Sequence, residues 1–200
     1  MPRKLAILIF DDVEVLDFCG PFEVFAVTRD PQTDQEQFQV YLVAENHRPV
    51  VARNGLTVLP RYTILDAPTA DIILVPGGRG TRTAMNNPNL IEWIQKQGQN
   101  AELVLSVCTG ALMLAKAGFL QGLSATTYHT AFEELQAADP TVTLCRGERY
   151  VDNGKVITSA GISAGIDMSL YVVERLHGVE QARWTANHME YEYYFVNQKS

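Results

Sequence analysis

The stretch Glu102-Leu-Val-Leu-Ser-Val-Cys108-Thr-Gly-Ala-Leu-Met-Leu-Ala115 constrains the fold more than any other part of the chain. Its first half is a nearly unbroken apolar run, which suits a strand buried on both faces. Its second half reads as a helix. The small residues between them must turn the chain sharply, and Gly110 is the residue expected to tolerate that turn best. A cysteine at such a junction stands at a helix N-terminus, where free N–H groups and the macrodipole favour the thiolate. The arrangement is the cysteine counterpart of the nucleophile elbow, whose serine form reads Gly-x-Ser-x-Gly. Structural cysteines are commonly buried inside elements; placement at the turn points to chemistry instead.

Similar apolar runs recur. Leu5-Ala-Ile-Leu-Ile-Phe10 suits a central parallel strand and ends in Asp11-Asp12. Leu16-Asp17-Phe18-Cys19-Gly20-Pro21 leads into a helix over Phe22–Val27, with Pro21 placed in its first turn. Phe38–Ala44 and Asp71–Pro76 are further strands, and the second runs into Gly77-Gly78. Val50–Leu59, with Asn54-Gly55 inside it, predicts a hairpin. Pro88–Gln97 is an amphipathic helix. Beyond the elbow come an extended piece over Leu123–Tyr128, a helix over Thr130–Ala138, and strands over Val142–Cys145 and Tyr150–Ser159, the latter turning at Asn153-Gly154. A helix over Ser163–Leu176, N-capped by Ser163, and a last helix from Val179 complete the pattern. The β-α alternation predicts one α/β domain over residues 1–200, a doubly wound and mostly parallel sheet with a hairpin appendage. The aromatic run Tyr191, Tyr193, Tyr194 and Phe195 is expected to pack on the body or on a second subunit.

Composition excludes several classes. The chain is 46% hydrophobic and 20% charged, ordinary values for a globular protein that stays in water. A net charge of −7 argues against nonspecific nucleic-acid binding. No apolar run approaches a membrane span, and Met1 to Phe10 reads as a strand rather than a signal peptide. Three widely spaced cysteines, Cys19, Cys108 and Cys145, suggest no disulfide framework and fit a reduced, cytoplasmic compartment. No Cys-x-x-Cys or His-Glu-x-x-His spacing suggests a metal, and none of the chemistry below calls for a cofactor.

In open α/β sheets ligands bind beyond the carboxyl ends of the strands. Three such ends carry unusual residues here: Glu14 and Asp17, then Gly77-Gly78-Arg79-Gly80, then Cys108-Thr109. If these strands are neighbours, a carboxyl, a glycine-rich loop and a thiol meet at one edge. Cys108 would be the nucleophile, and Asp17 would supply a proton or hydrogen bond if burial raises its pKa. The N–H groups of Gly78 and Thr109 could cradle developing negative charge, and Gly77 and Gly78 would let the backbone come close to a substrate. Glu14 reads as a solvated residue, and Cys19 and Cys145 as structural.

These segments resemble the ThiJ/PfpI superfamily, and within it the branch that contains isonitrile hydratases. The likeness rests on Val15–Phe25, Val75-Pro-Gly-Gly78, Ser106–Leu112, Ala125-Thr-Thr127 and Gly161–Asp167. It implies a flavodoxin-like sandwich, a homodimer, Cys108 as nucleophile and Asp17 as its acidic partner. Thr109 fits the Cys-Thr pattern of the hydratase branch, where peptidase-like members carry Cys-His. After Ala125-Thr-Thr127 the family often places a histidine near the cysteine; here Tyr128 stands first and His129 follows, so either could reach the site. The implied reaction is cofactor-free hydration of an isocyanide, a small-molecule substrate, to an N-substituted formamide through a thioimidate on Cys108. Two alternatives use the same thiol: glyoxalase- or deglycase-like action on α-oxoaldehydes, and a redox sensor in which Cys108 oxidises. The fold also serves as the sensory half of some AraC-type regulators, which need a further helix-turn-helix region; with the acidic and aromatic stretch Glu190–Phe195 at this end, direct DNA binding is not expected.

Overall fold

Buried parallel strands dictate the architecture. The computed structural model describes residues 1–193. Along the chain run β1 (Arg3–Leu8), α1 (Val15–Val27), β2 (Phe38–Ala44), β3 (Val50–Val51), β4 (Thr57–Val58), β5 (Tyr62–Thr63) and β6 (Ile72–Val75). Next come α2 (Thr81–Ala84), α3 (Pro88–Asn100), β7 (Leu103–Val107), α4 (Gly110–Lys116), β8 (Ser124–Ala125), α5 (Phe132–Ala138) and β9 (Thr143–Leu144). The sequence of elements closes with β10 (Tyr150–Asp152), β11 (Val156–Ser159), α6 (Ala164–His177) and α7 (Val179–His188).

The main sheet has the order β10-β11-β7-β6-β1-β2-β5, parallel throughout except where β10 meets β11. Residues Leu5–Leu8 of β1 and all of β6, β7 and β11 are buried, as continuous apolar strands covered on both faces must be. The chain leaves β1 toward β2 but leaves β6 toward β7 in the opposite direction. Right-handed crossovers therefore place α1 on one face and α3 on the other. Helices α6 and α7 pack with α1, and α4 packs with α3 and α5. The reversal of direction between β1 and β6 is a topological switch point, where the loops splay and leave a crevice. The expected α/β sandwich with its flavodoxin-like, mostly parallel sheet is the observed one, and β3 and β4 form the expected antiparallel hairpin.

Some local expectations change. The first helix begins at Val15, not at Phe22, so Pro21 lies inside it and Asp17 falls in its first turn. Proline has no N–H to give the carbonyl of Asp17, so intrahelical bonding does not explain this helix. Packing does: Gly20 faces Ile166 of α6 so closely that an added Cβ would stand 2.9 Å from Ile166 Cγ1. Phe18 and Phe25 are buried in the core below. Cys19 consequently belongs to this helix rather than to a loop. Cys145 lies just past β9, where its N–H still reaches the Ala125 carbonyl at 2.8 Å. Ser163 occupies the cap position of α6 but its hydroxyl makes no capping bond. Tyr191 and Tyr193 pack against the body, Tyr191 donating to Asp167 Oδ1 at 2.8 Å. Tyr194 and Phe195 lie outside the described residues.

Candidate active site

The elbow forms, but its strain sits on the cysteine. Cys108 adopts φ 57°, the left-handed region that a non-glycine residue enters only when its surroundings hold it there. Its N–H donates to the Ser159 carbonyl at 3.0 Å, and its carbonyl accepts the Thr127 hydroxyl at 2.8 Å. Gly110, expected to take up the turn, keeps an ordinary helical backbone; its missing side chain instead lets α4 lie against the carbonyl of Val75.

Loops after β1 and β6 are stitched together beside it. Glu14 N–H bonds the Gly77 carbonyl at 2.9 Å, and Gly80 N–H bonds the Asp12 carbonyl at 3.1 Å. Arg53 of the hairpin joins them through its N–H to the Val13 carbonyl at 2.9 Å. Gly78 has φ 127°, a conformation for which a side chain would be strained and would strike the Glu14 and Asp12 backbones. The effect is to bring Asp17, Gly77, Gly78, Cys108 and Thr109 into one cluster.

Each member has a defined partner. Gly77 N–H donates to Asp17 Oδ2 at 3.1 Å. Gly78 N–H donates to Thr109 Oγ1 at 3.0 Å, so it faces a protein oxygen rather than open space. The Thr109 hydroxyl donates to the Gly78 carbonyl at 3.1 Å and stands 2.9 Å from the Thr81 hydroxyl. Thr109 thus locks the glycine loop onto the elbow, while its N–H and its hydroxyl also lie against the Cys108 sulfur. Gly161, from the loop before α6, closes the other side: a Cβ there would stand 2.7 Å from Sγ.

Asp17 is fully buried. Desolvation pushes its carboxyl up to about 7, opposed first by the Cys108 thiol and reinforced by the nearby charge of Glu14. Oδ1 makes no hydrogen bond of ordinary geometry, which leaves it open to that thiol. Cys108 departs from the expectation drawn from its place at a helix N-terminus. Burial raises its thiol, the Asp17 charge raises it further, and the Thr109 N–H only partly offsets them. Two acids side by side in a dry site share their protons as a pair.

A cavity of about 260 Å³ opens onto Cys108, with Asp17 buried behind the thiol. Cys108, Thr109, Gly78, Tyr128, Thr130, Ile162, Glu14 and three arginines, Arg53, Arg79 and Arg82, line it. Tyr128 therefore reaches the cavity, whereas His129 is exposed and sets its ring at a tilt against that of Tyr128, outside the lining. Glu14 is only 16% exposed in its side chain and pairs with Arg53 at 3.2 Å, so it belongs to the site rather than to solvent. A larger cavity of about 620 Å³ lies elsewhere, between Tyr150, Asp167 and Tyr191. Among the described residues no cluster of metal-ligating side chains occurs and no helix is long and apolar enough to cross a membrane.

A cysteine elbow, a facing acid and a Pro-Gly-Gly loop on this sheet order meet a specific likeness: the DJ-1/PfpI family profile matches residues 3–175. The chain belongs to the DJ-1/PfpI family. It is 37% identical over 191 residues to isonitrile hydratase from Pseudomonas putida, covering 96% of this chain and 79% of that protein. It is 26% identical over 179 residues to the HTH-type transcriptional regulator GbdR from Pseudomonas aeruginosa, covering 90% of this chain but only 48% of the regulator. Among solved structures, a ThiJ/PfpI family protein from Pseudomonas syringae superposes with a TM-score of 0.87 at 27% identity, covering 100% of this chain and 80% of that one. DJ-1beta from Drosophila melanogaster gives a TM-score of 0.83 at 20% identity, covering 96% and 100% respectively, and so shares the fold. The motif Gly161-Ile-Ser-Ala-Gly165 carried part of this likeness in the sequence; that Gly161 touches the sulfur is visible only in three dimensions.

Two stability predictions follow from the geometry. The folded state binds the Asp17 proton more tightly than the unfolded chain, so burial of the carboxyl costs nothing below the ordinary value of 3.8 and costs its full amount once pH exceeds about 7. Asp17→Asn removes this charge and should raise the melting temperature at pH 8, by at most about 4 kcal/mol of stability. The gain should shrink when the scan is repeated at pH 5. Thr109→Val leaves the buried Gly78 N–H without its acceptor and should lose about 1–3 kcal/mol in urea unfolding, whereas Thr109→Ser should stay near wild type.

Proposed function

We propose that this protein is a cysteine-dependent hydratase that converts an isocyanide to an N-substituted formamide. The observation that carries the reading is Cys108 lining a small cavity with the buried Asp17 carboxyl against its thiol, in a chain 37% identical to an isonitrile hydratase. A raised Asp17 can hold or release a proton near neutral pH, which is what an addition without net charge change requires. As the Cys108 sulfur bonds to the terminal isocyanide carbon, Asp17 takes the thiol proton and passes it to that carbon, forming a thioimidate. Water then adds across the C=N bond while Asp17 relays its proton to nitrogen. The C–S bond breaks, the thiol recovers its proton, and the formamide leaves. Carbon gains one hydrogen and one oxygen, nitrogen gains one hydrogen, and the enzyme returns unchanged.

In this mechanism Gly77 is a positioning residue, since its N–H fixes the Asp17 carboxyl. Thr109 and Gly78 position the sulfur and the loop rather than receive substrate, and the Thr109 N–H is the backbone donor nearest the developing charge on sulfur. Tyr128 forms cavity wall, and His129 takes no part.

Cys108→Ala should abolish formation of N-formamide from a simple aryl isocyanide, followed by mass spectrometry; retained activity would sink the proposal. The active pair carries one proton. At low pH it carries two, so kcat/KM should rise as pH passes about 7, where Asp17 releases its proton. Asp17→Asn should remove that rise and slow turnover by about a hundredfold or more.

A further inference from the structure

Cys108 lies at the depth of the cavity, and the mouth is cationic. Cys108 is only 5% exposed, whereas Arg79 lies at the surface while still lining the same space. Three arginines and one carboxylate line this cavity in a chain whose net charge is −7. Two of the three are already committed. Arg53 pairs with Glu14 at 3.2 Å, and Arg82 holds Glu134 through two bonds at 2.9 Å and 2.6 Å. Among the described residues Arg79 has neither ion pair nor hydrogen bond. A guanidinium left unneutralised beside a small cavity favours an anion there, and its planar fork fits a carboxylate in bidentate fashion.

We propose that Arg79 forms an anion subsite that selects substrates bearing a carboxylate at the end remote from the reacting carbon. The identity of the reacting group rests on the hydratase reading above; the subsite does not. Size agrees with such a ligand. An apolar cavity of about 150 Å³ holds benzene, so about 260 Å³ takes a six-membered ring with a carboxylate attached. Arg53 and Arg82 flank the subsite with their charges spent on Glu14 and Glu134, so Arg79 decides the preference.

Two measurements test this and separate it from the reaction. The first is calorimetric binding of 4-formamidobenzoate and of its uncharged methyl ester to the wild-type protein and to Arg79→Gln. The acid should bind roughly tenfold or more tightly than the ester, the weight of one charge-assisted hydrogen bond. The preference should shrink with added salt and vanish in Arg79→Gln, with part of it restored in Arg79→Lys. Equal binding of acid and ester, no measurable binding of the acid, or a preference that survives Arg79→Gln would overturn the subsite. The second is turnover of 4-isocyanobenzoate and its methyl ester. Preferential binding of the acid without hydration of either isocyanide leaves the subsite standing and removes the hydratase reading. Hydration of both isocyanides without any binding preference does the reverse.

Discussion

A carboxyl buried beside a thiol is the interaction on which the rest of this structure depends. A carboxylate that accepts two or three backbone N–H bonds is driven to low pKa and becomes a fixed charge. Asp17 receives one such bond, from Gly77, and keeps Oδ1 without an ordinary partner. That sparse arrangement, with water excluded, keeps its proton exchangeable near neutral pH. The surrounding loops can then be understood as what prevents the carboxyl from turning outward to water. The Glu14–Gly77 and Asp12–Gly80 bonds close the crevice, and the Phe18 and Phe25 rings anchor the helix that carries Asp17.

Much of the frame was legible in the sequence for one reason: strands buried on both faces must be continuous apolar runs, and short runs of that kind have few other uses in a chain of this composition. Phe38–Ala44 appears as a strand with the bounds read from sequence, and β6 and β7 fall inside theirs. The start of α1 was illegible because Gly20 and Pro21 are poor helix residues and speak locally for a loop. Their use is tertiary. Gly20 admits Ile166, and Gly165 of α6 lies against Val107 and Pro21, so the two helices cross where neither carries bulk. Single-turn α2 and two-residue β5 carry too few residues for any period to show.

At the site, residue identities were legible but their electrostatics were not. A cysteine before a helix suggests a stabilised thiolate, yet α4 has only seven residues and the sulfur is almost wholly enclosed. Desolvation acts on the whole charge of a thiolate, whereas a helix end offers a partial charge. Burial wins, and a neighbouring carboxylate adds to it. The partner of the Gly78 N–H was equally hidden, since nothing in Pro76-Gly-Gly78 announces that a threonine 31 residues further along will occupy its donor.

The cavity divides by origin. The sulfur, the carboxyl and the residues that hold them sit on the carboxyl ends of central elements, cross-linked by bonds that leave little freedom to change. The outer lining comes from separate segments: Arg53 from the hairpin, Arg79 and Arg82 from the loop and short helix after β6, Tyr128 and Thr130 from the turn after β8, Ile162 from the loop before α6. Loops on a rigid sheet tolerate substitution because few buried contacts depend on them. Replacing Arg79, which makes no bond to the residues around Cys108 and Asp17, would therefore change the charge at the mouth without disturbing the proton-sharing pair beneath it. One fold built this way can carry different linings at its mouth, which suits a chain similar both to a hydratase and to half of a transcriptional regulator.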